Sequence, residues 1–392
     1  MKSKLGFIAL LMSALVFHDF FKIEAFKLGL LTLTYQRIVI IAIFPIILFS
    51  KLKINIKDNF LRIIIIFAIY GLLRICGNYR EALVIYFPLI TFILIYIIVN
   101  KESEISFCIN FLATTFILFS IIGFIEIKTG YHFVETYHKS NTKGLAVGMY
   151  YNENDFAAFL TTMIFYMLLS SFPILVKFFS ISTAIYIIYL NGSQTCLLGI
   201  VTFVFLYFIF IIRDKNIRFI MFVTAIVLVC IFKKVFINII LKSSLHWRFL
   251  MYQTGVKVCM NNLFFGTGIG NYEKAMYDYG LVEAPFVSAN PHNLFLELSG
   301  QFGIIWLILL IYLLIQLFLY LYKKINKNKL FLLGLLYIYP FVSIASSSSL
   351  GKNYTYLALL IPLVLLKKER SHRYKKSYEV LNDYRKEYNN GK

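Results

Sequence analysis

The chain has 392 residues, of which 60% are hydrophobic and only 15% are charged, and its formal net charge is +20. A soluble domain is about half apolar and roughly a quarter charged, so this composition excludes an ordinary soluble enzyme. Apolar runs of about 15 or more residues recur without alternation, which predicts transmembrane helices and not a β-barrel. The basic residues are dispersed over loop ends and the tail, so they indicate cytoplasmic loops and not a nucleic-acid partner. The predicted fold class is an all-α integral membrane protein.

Hydropathy predicts about twelve transmembrane helices in one membrane domain, residues 1–366, followed by a basic cytoplasmic tail, residues 367–392. An even number of helices places both termini on one side, and most of the 39 lysine and arginine residues then share that side, which predicts cytoplasmic termini. A large extracytoplasmic loop, residues 238–300, separates the ninth and tenth helices. The predicted helices are 5–21, 28–49, 60–74, 82–99, 106–126, 155–171, 174–190, 195–212, 217–237, 301–322, 330–345 and 354–366.

The segment from Trp247 onward is the longest polar interruption of the apolar pattern and begins with a candidate anion site. Arg248, Tyr252 and Gly255 fall on one face of a predicted helix at the outer membrane surface. Arginine binds phosphate through two parallel hydrogen bonds, so Arg248 is a candidate for charge stabilisation and Tyr252 for substrate contact. The alternative is an ordinary interfacial pair of Trp247 and Arg248.

A glycine-rich turn, GTGIGNY, follows and has the spacing of a nucleotide-binding loop. No strand precedes it and no GK[ST] follows it, so the structural context of such a loop is missing. We therefore predict a chain reversal with positive φ angles at Gly266, Gly268 and Gly270.

The sequence Asn290-Pro291-His292-Asn293 opens a further predicted helix, with Asn290 as the N-cap and Pro291 at the first position. His292 then lies in the first turn, where the helix dipole disfavours imidazolium and favours a neutral base. The alternative is a histidine that merely caps a helix at the interface. Asn293 and Glu297 are four residues apart and share one face, so both are candidates for substrate binding.

Two arginines elsewhere are candidates for binding a lipid phosphate. Arg37 lies near the centre of the second predicted helix, where a charge costs roughly 2.5–3.5 kcal/mol, and this predicts a residue facing a cavity. The alternative is a buried ion pair with Glu24, Glu81 or Glu126. Arg80 lies at the outer membrane face and either clamps a pyrophosphate or pairs with Glu81.

Polar residues also precede the sixth predicted helix, in YYNENDFAAF. Asn154 and Asp155 are predicted to cap that helix. Sugar binding by Asn152, Glu153 or Asp155 is the alternative. The five cysteines form no CxxC pair and no metal-ligand spacing, so neither a metal nor another cofactor is expected.

Arg248 with a following tyrosine, then FGTGIGNY, then PHNLFLELSGQFGIIWLILLI, resembles the region shared by O-antigen ligases and Wzy-type polysaccharide polymerases. The resemblance is specific over residues 247–310 and implies a GT-C-like architecture. It also implies inverting, metal-independent glycosyl transfer from a polyprenyl-pyrophosphate-linked oligosaccharide, with His292 and Arg248 as the catalytic residues. Similar proteins often carry Ser-Arg-Gly after the seventh helix, but here Ser193 precedes Gln194. A different cation, Arg37 or Arg80, is therefore expected to meet the pyrophosphate.

The expected activity is polymerisation of lipid-linked repeat units on the outer face of the bacterial cytoplasmic membrane, for O-antigen, capsule or exopolysaccharide. The resemblance implies undecaprenyl-pyrophosphate-type donor and acceptor lipids as partners, with a flippase and a chain-length regulator of the same pathway. One alternative is a ligase that transfers the glycan to a lipid or protein acceptor. A flippase or transporter, or a receptor, is the alternative of another class. Polar residues concentrate on the outer face and do not line a path through many helices, which favours the enzyme.

Overall fold

The computed structural model describes residues 2–17, 22–28, 31–49, 58–75, 79–134, 144–150, 152–212, 216, 245–280, 292–323, 327–345 and 349–369. Helices make up most of this part of the chain, so the expectation of a helical membrane protein is met in its main feature. The described helices are α1 (Lys2–Val16), α2 (Tyr35–Phe49), α3 (Asn59–Leu73), α4 (Tyr79–Ile98), α5 (Glu102–Thr129), α6 (Glu153–Leu169), α7 (Ile174–Leu190), α8 (Gln194–Ile211), α9 (Leu245–Asn261), α10 (Tyr272–Asp278), α11 (Leu294–Phe302), α12 (Ile304–Tyr322), α13 (Lys327–Ser343) and α14 (353–369).

A β-hairpin between α1 and α2 departs from the all-α expectation. Its strands, β1 (Lys22–Leu28) and β2 (Leu31–Thr34), pair antiparallel with Lys22 opposite Thr34. The LTLT sequence of β2 alternates with β-branched threonine, which favours extended backbone. The predicted helix over 28–49 was therefore wrong at its start, because the chain becomes helical only at Tyr35.

Helices α5 and α12 are long and apolar enough to cross a membrane, and several other apolar helices are slightly shorter. One side of α12 exposes Ile305, Ile308, Ile311 and Ile315, which recur at helical spacing. An uncovered aliphatic stripe of this kind is suited to lipid. The predicted helix 217–237 and the tail beyond residue 369 lie outside the described residues.

Helix α6 is the central helix of the bundle. Every residue from Asp155 to Met167 is buried, and the helix packs against α5, α7, α8 and α13. A helix that is apolar on all sides is typical of a protein interior. Asp155 is the one carboxylate in this buried stretch, so its charge requires a partner within the protein.

Polar contacts mark the two ends of the bundle. At one end, Lys4 forms a 2.6 Å ion pair with Glu104, and Lys367 reaches the main chain at the end of α4. At the other end, the Asn353 side chain donates to the Val16 carbonyl at 3.0 Å. Helices α1 and α14 therefore run antiparallel between these ends. We refer to the second as the Asn353 end, and it carries the residues discussed below.

The segment predicted as a large loop over 238–300 is helical in most of its described part, because α9, α10 and the start of α11 lie within it. The helix predicted over 301–322 is interrupted at Gly303, which has φ +98°. A Cβ at that position would lie 2.0 Å from the Phe264 carbonyl oxygen, so the close approach of two backbones requires glycine there. This break allows α11 to leave the direction of α12 and pack against α9.

The glycine-rich turn is a chain reversal, as predicted, with φ angles of +66°, +84° and +85° at Gly266, Gly268 and Gly270. The Gly268 N–H donates to the Gln301 carbonyl at 3.0 Å, which attaches the turn to the end of α11. The Arg74 guanidinium donates to the Gly266 carbonyl at 3.0 Å and attaches it to the end of α3. The turn therefore supports the walls of the Asn353 end.

Substituting Gly266 tests how much stability this turn contributes. A Cβ there would lie 2.4 Å from the Gln301 backbone, whereas one at Gly144, with φ +87°, would meet nothing within 4 Å. Both alanine variants incur left-handed backbone strain of about 1–2 kcal/mol. Only Gly266→Ala adds steric overlap, worth about 1–3 kcal/mol. In detergent, we expect Gly266→Ala to melt several degrees below Gly144→Ala, and equal melting temperatures would contradict the close packing.

Candidate active site

His292 lies immediately before α11 and has a φ of +50°, a backbone region that is uncommon for residues other than glycine. The N-cap of α11 is Asn293, whose side-chain oxygen accepts from the N–H groups of Phe295 at 3.0 Å and Leu296 at 3.3 Å. The prediction of Asn290 as the cap was wrong, because the helix begins at Leu294. His292 therefore lies outside the first turn, and its unusual φ sets the direction in which the backbone enters the helix.

The surroundings of His292 keep its imidazole neutral at neutral pH. Burial is the largest effect and the positive charge of Arg248 is the next, and together they lower the pKa of His292 to about 4. Asp155 opposes this shift, while Lys352 adds to it. The neutral imidazole expected from the sequence thus has a different cause, because burial and neighbouring cations lower the pKa of a residue that lies outside the first turn of the helix.

Arg248 projects from α9 toward the end of α13. Its two terminal nitrogens donate to the carbonyl oxygens of Ile344 at 3.2 Å and Ala345 at 3.3 Å. A cation at a helix C-terminus is stabilised by the helix dipole. Within the described residues Arg248 forms no salt bridge. The two carbonyl groups fix the position of the guanidinium, and because they are neutral they do not cancel its positive charge. This arrangement suits a group that binds an anion.

Three other predicted residues lie beside this pair. The Tyr252 hydroxyl, one turn along α9 from Arg248, donates to the His292 carbonyl at 3.5 Å. Glu297 is fully buried and its carboxylate accepts from the Leu350 N–H at 3.3 Å, which holds the 3₁₀ turn Ser349–Gly351 against α11. The described bonds of Asn293 and Glu297 are structural, because the Asn293 side chain caps α11 and Glu297 binds the 3₁₀ turn, whereas Tyr252 bonds to His292 itself.

An ion pair that sequence reasoning missed completes the cluster. Lys352 Nζ lies 2.7 Å from Asp155 Oδ2, and the Tyr354 hydroxyl donates to Asp155 Oδ1 at 3.1 Å. Asp155 does not cap α6 as predicted, since the cap is Asn152, whose side chain accepts from the Asn154 N–H at 2.7 Å. The sequence does carry a signal: Lys352 is the only charged residue in the long apolar stretch 330–366.

The two arginines proposed as phosphate ligands are not brought to this cluster by any described contact. Arg37 is the third residue of α2, and its guanidinium lies 5.3 Å from the centroid of the Phe87 ring. The expected depth at mid-helix was wrong because β2 occupies the residues just before it. The Arg80 side chain falls outside the described part. Gln194 is exposed at the first position of α8.

Glu126, considered above as a partner of Arg37, instead organises the segment before α6. Its carboxylate accepts from the main-chain N–H groups of Val147 at 2.8 Å and Gly148 at 2.7 Å. The Asn191 side chain holds Ala146 in the same segment through two hydrogen bonds of 2.9 and 2.7 Å. These bonds fix the entry of the chain into α6 and hence the position of Asp155.

Residues 178–311 match a family model described as O-Antigen ligase. The matched segment extends from α7 into α12 and includes Arg248, the glycine-rich turn and His292, so the resemblance drawn from the motifs is confirmed there. Over these residues the chain is similar to the O-antigen ligase family. The family and the apolar helices indicate a membrane protein that acts in glycan assembly on lipid-linked oligosaccharides. A comparison with curated proteins found no match.

Proposed function

We propose that the protein is a polysaccharide polymerase that joins polyprenyl-pyrophosphate-linked oligosaccharide repeat units on the outer face of the bacterial cytoplasmic membrane. The observation that carries the proposal is a half-buried, neutral His292 that is linked to α9 through Tyr252 and acted on by the charge of Arg248, inside the family-matched segment. A proton acceptor and a fixed positive charge are the two groups that glycosyl transfer from a pyrophosphate requires.

In the proposed reaction, an acceptor sugar hydroxyl attacks the anomeric carbon of the donor and forms the new glycosidic bond. The bond between that carbon and the pyrophosphate oxygen breaks, and its electron pair leaves with the pyrophosphate. His292 takes the hydroxyl proton or orients the acceptor, and Arg248 stabilises the charge that develops on the leaving group. Attack from the face opposite the leaving group inverts the anomeric configuration. Pyrophosphate is already a good leaving group, so no general acid is required.

Charge distribution supports an orientation with the Asn353 end outside the cytoplasm. The opposite end carries Lys4 and Lys367, and the basic tail follows directly after the last helix. By the positive-inside rule this end belongs in the cytoplasm together with both termini. About twelve membrane spans would connect the two faces, and lipid-linked substrates would reach the Asn353 end from the outer leaflet.

A ligase is the second candidate, and the description of the matched family favours it. The chemistry at the anomeric carbon would be the same, and the acceptor would be a lipid or a protein instead of a second repeat unit. A flippase for the same lipids is the candidate of another class. A polymerase would work beside a separate flippase and a chain-length regulator.

The test uses purified protein in liposomes with polyprenyl-pyrophosphate-linked repeat units and no nucleotide, and the products are sized on a gel. We expect a ladder of polymer from the wild type and none from a His292→Asn variant. A single transfer to an added lipid or protein acceptor, without a ladder, would replace the polymerase by the ligase. Labelled lipid crossing the bilayer, without either product, would contradict glycosyl transfer altogether.

A further inference from the structure

Lys352 is a charged residue at the Asn353 end, where it is paired with Asp155. It follows the 3₁₀ turn Ser349–Gly351, precedes α14, and is the only charged residue in the stretch 330–366. Its side chain is 20% exposed, whereas that of its partner Asp155 is 4% exposed. The lysine side chain is therefore partly open to solvent, whereas the carboxylate that it pairs with is enclosed.

Helix packing alone does not explain why an ion pair occurs at this position. Removing a lysine and a carboxylate from water costs several kcal/mol per ion, and an apolar pair of similar size often supports a fold equally well. Charged residues within apolar helical segments most often mark ligand or ion sites. Asp155 accepts from both Lys352 and Tyr354, so it holds the ammonium in one place.

Described residues that precede Lys352 in the chain contact the elements that carry Arg248 and His292. Arg248 is bound by the carbonyl groups at residues 344 and 345. Leu350 is bound by Glu297 in the helix that His292 precedes. The charges of Arg248, Asp155 and Lys352 all act on the His292 imidazole. These contacts of residues 344, 345 and 350 thus place His292, Arg248 and Lys352 at the same end of the bundle.

We infer that Lys352, held by Asp155, binds the anionic pyrophosphate of the lipid-linked donor beside Arg248, in the role that Arg37 or Arg80 was expected to fill. The inference rests on the proposed function for the identity of the donor. Two cations beside one anion share its charge, and Asp155 keeps the Lys352 ammonium in position to stabilise the leaving group.

The first measurement uses inorganic pyrophosphate as the probe and isothermal titration of purified protein in detergent. The variant K352M/D155N removes both charges, so no unpaired carboxylate stays buried. We expect at least a tenfold weaker pyrophosphate affinity for it, and a change of less than threefold for K352R. Lys257→Met, which removes an exposed positive charge from α9, should leave the affinity unchanged. Wild-type affinity in K352M/D155N would overturn the inference.

The second measurement uses the wild type alone, so it does not depend on the folding of a variant. An amine-reactive label is applied with and without pyrophosphate, and the modified lysines are quantified by mass spectrometry. Pyrophosphate should slow labelling of Lys352 at least threefold and leave Lys257 unaffected. Equal labelling of Lys352 under both conditions would overturn the inference.

The two proposals fail in different ways. If pyrophosphate binding depends on Lys352 but the protein transfers no sugar in liposomes, the anion site is supported and the polymerase is contradicted. If K352M/D155N transfers sugar at the wild-type rate and with the wild-type donor KM, Lys352 has no role in donor binding, and the proposed enzymatic activity is supported.

Discussion

His292→Asn is expected to lower the rate of glycosyl transfer by about 100-fold or more, the usual contribution of a positioned proton acceptor. Asparagine cannot take up the proton of an acceptor hydroxyl, and it tolerates the φ of +50° found at this residue. Initial rates in liposomes at neutral pH provide the measurement, with the melting temperature as a check on folding. Retention of more than a tenth of the wild-type rate would contradict the assignment of His292 as the base.

His292→Ala distinguishes the loss of the proton acceptor from the effect of backbone strain at this position. Alanine at a positive φ costs about 1–2 kcal/mol, so His292→Ala should melt below His292→Asn while losing activity to the same degree. If activity followed the melting temperature through both variants, the role of His292 would be structural.

The pH dependence of the wild type follows from the same residue. Burial and Arg248 lower the pKa of His292 to about 4 from an ordinary 6.5, so the free protein holds a neutral base throughout the neutral range. We expect kcat/KM to be insensitive to His292 near neutral pH and to fall as the pH approaches 4. For stability, the unfolded chain binds the proton between pH 6.5 and 4 while the folded protein does not. This group therefore makes folding less favourable as the pH falls through that window.

Arg248→Ala is expected to produce the second large loss, of about 100-fold in kcat/KM, because a fixed charge near the leaving group is removed. The variant also leaves the carbonyls of Ile344 and Ala345 without their donor, which costs about 1–3 kcal/mol of stability. Both effects are measured on one preparation, by transfer kinetics and by thermal unfolding.

Arg248→Lys is the matched control. A lysine keeps the positive charge but cannot place two nitrogens on two carbonyls as the planar guanidinium does. We expect Arg248→Lys to transfer sugar faster than Arg248→Ala but to be destabilised almost as much. If Arg248→Ala melted early yet transferred sugar normally per folded molecule, Arg248 would be only an anchor for α13.

Local sequence patterns were sufficient for features that depend on neighbouring residues. The spacing of Arg248 and Tyr252 predicted one helix face, and both side chains do point to the junction of α11 and α13. The glycine spacing predicted positive φ angles, which Gly266 and its neighbours adopt. In each case the physical cause lies within a few residues, namely helical periodicity or the absence of a Cβ.

Other features depended on contacts that no local pattern contains. The partner of Lys352 is 197 residues away, so the ion pair is visible only when α6 and α14 are folded together. The depth of Arg37 was misjudged because the sequence from residue 28 onward is as apolar as a helix, whereas residues 31–34 pair with β1 as a strand. Asn290 and Asn293 are equally good caps by residue type, so the sequence pattern could not show that the helix begins after the second.

The cations around His292 make its basicity depend on what is bound beside it. In the free protein, Arg248 and Lys352 disfavour a proton on the imidazole. A pyrophosphate that engages these cations would offset their charge, and the pKa of His292 would then rise toward its ordinary value. The base would thus become strong only after the donor has arrived. Such coupling would impose an order of events, in which an acceptor that arrives first waits unactivated until the lipid-linked donor has bound.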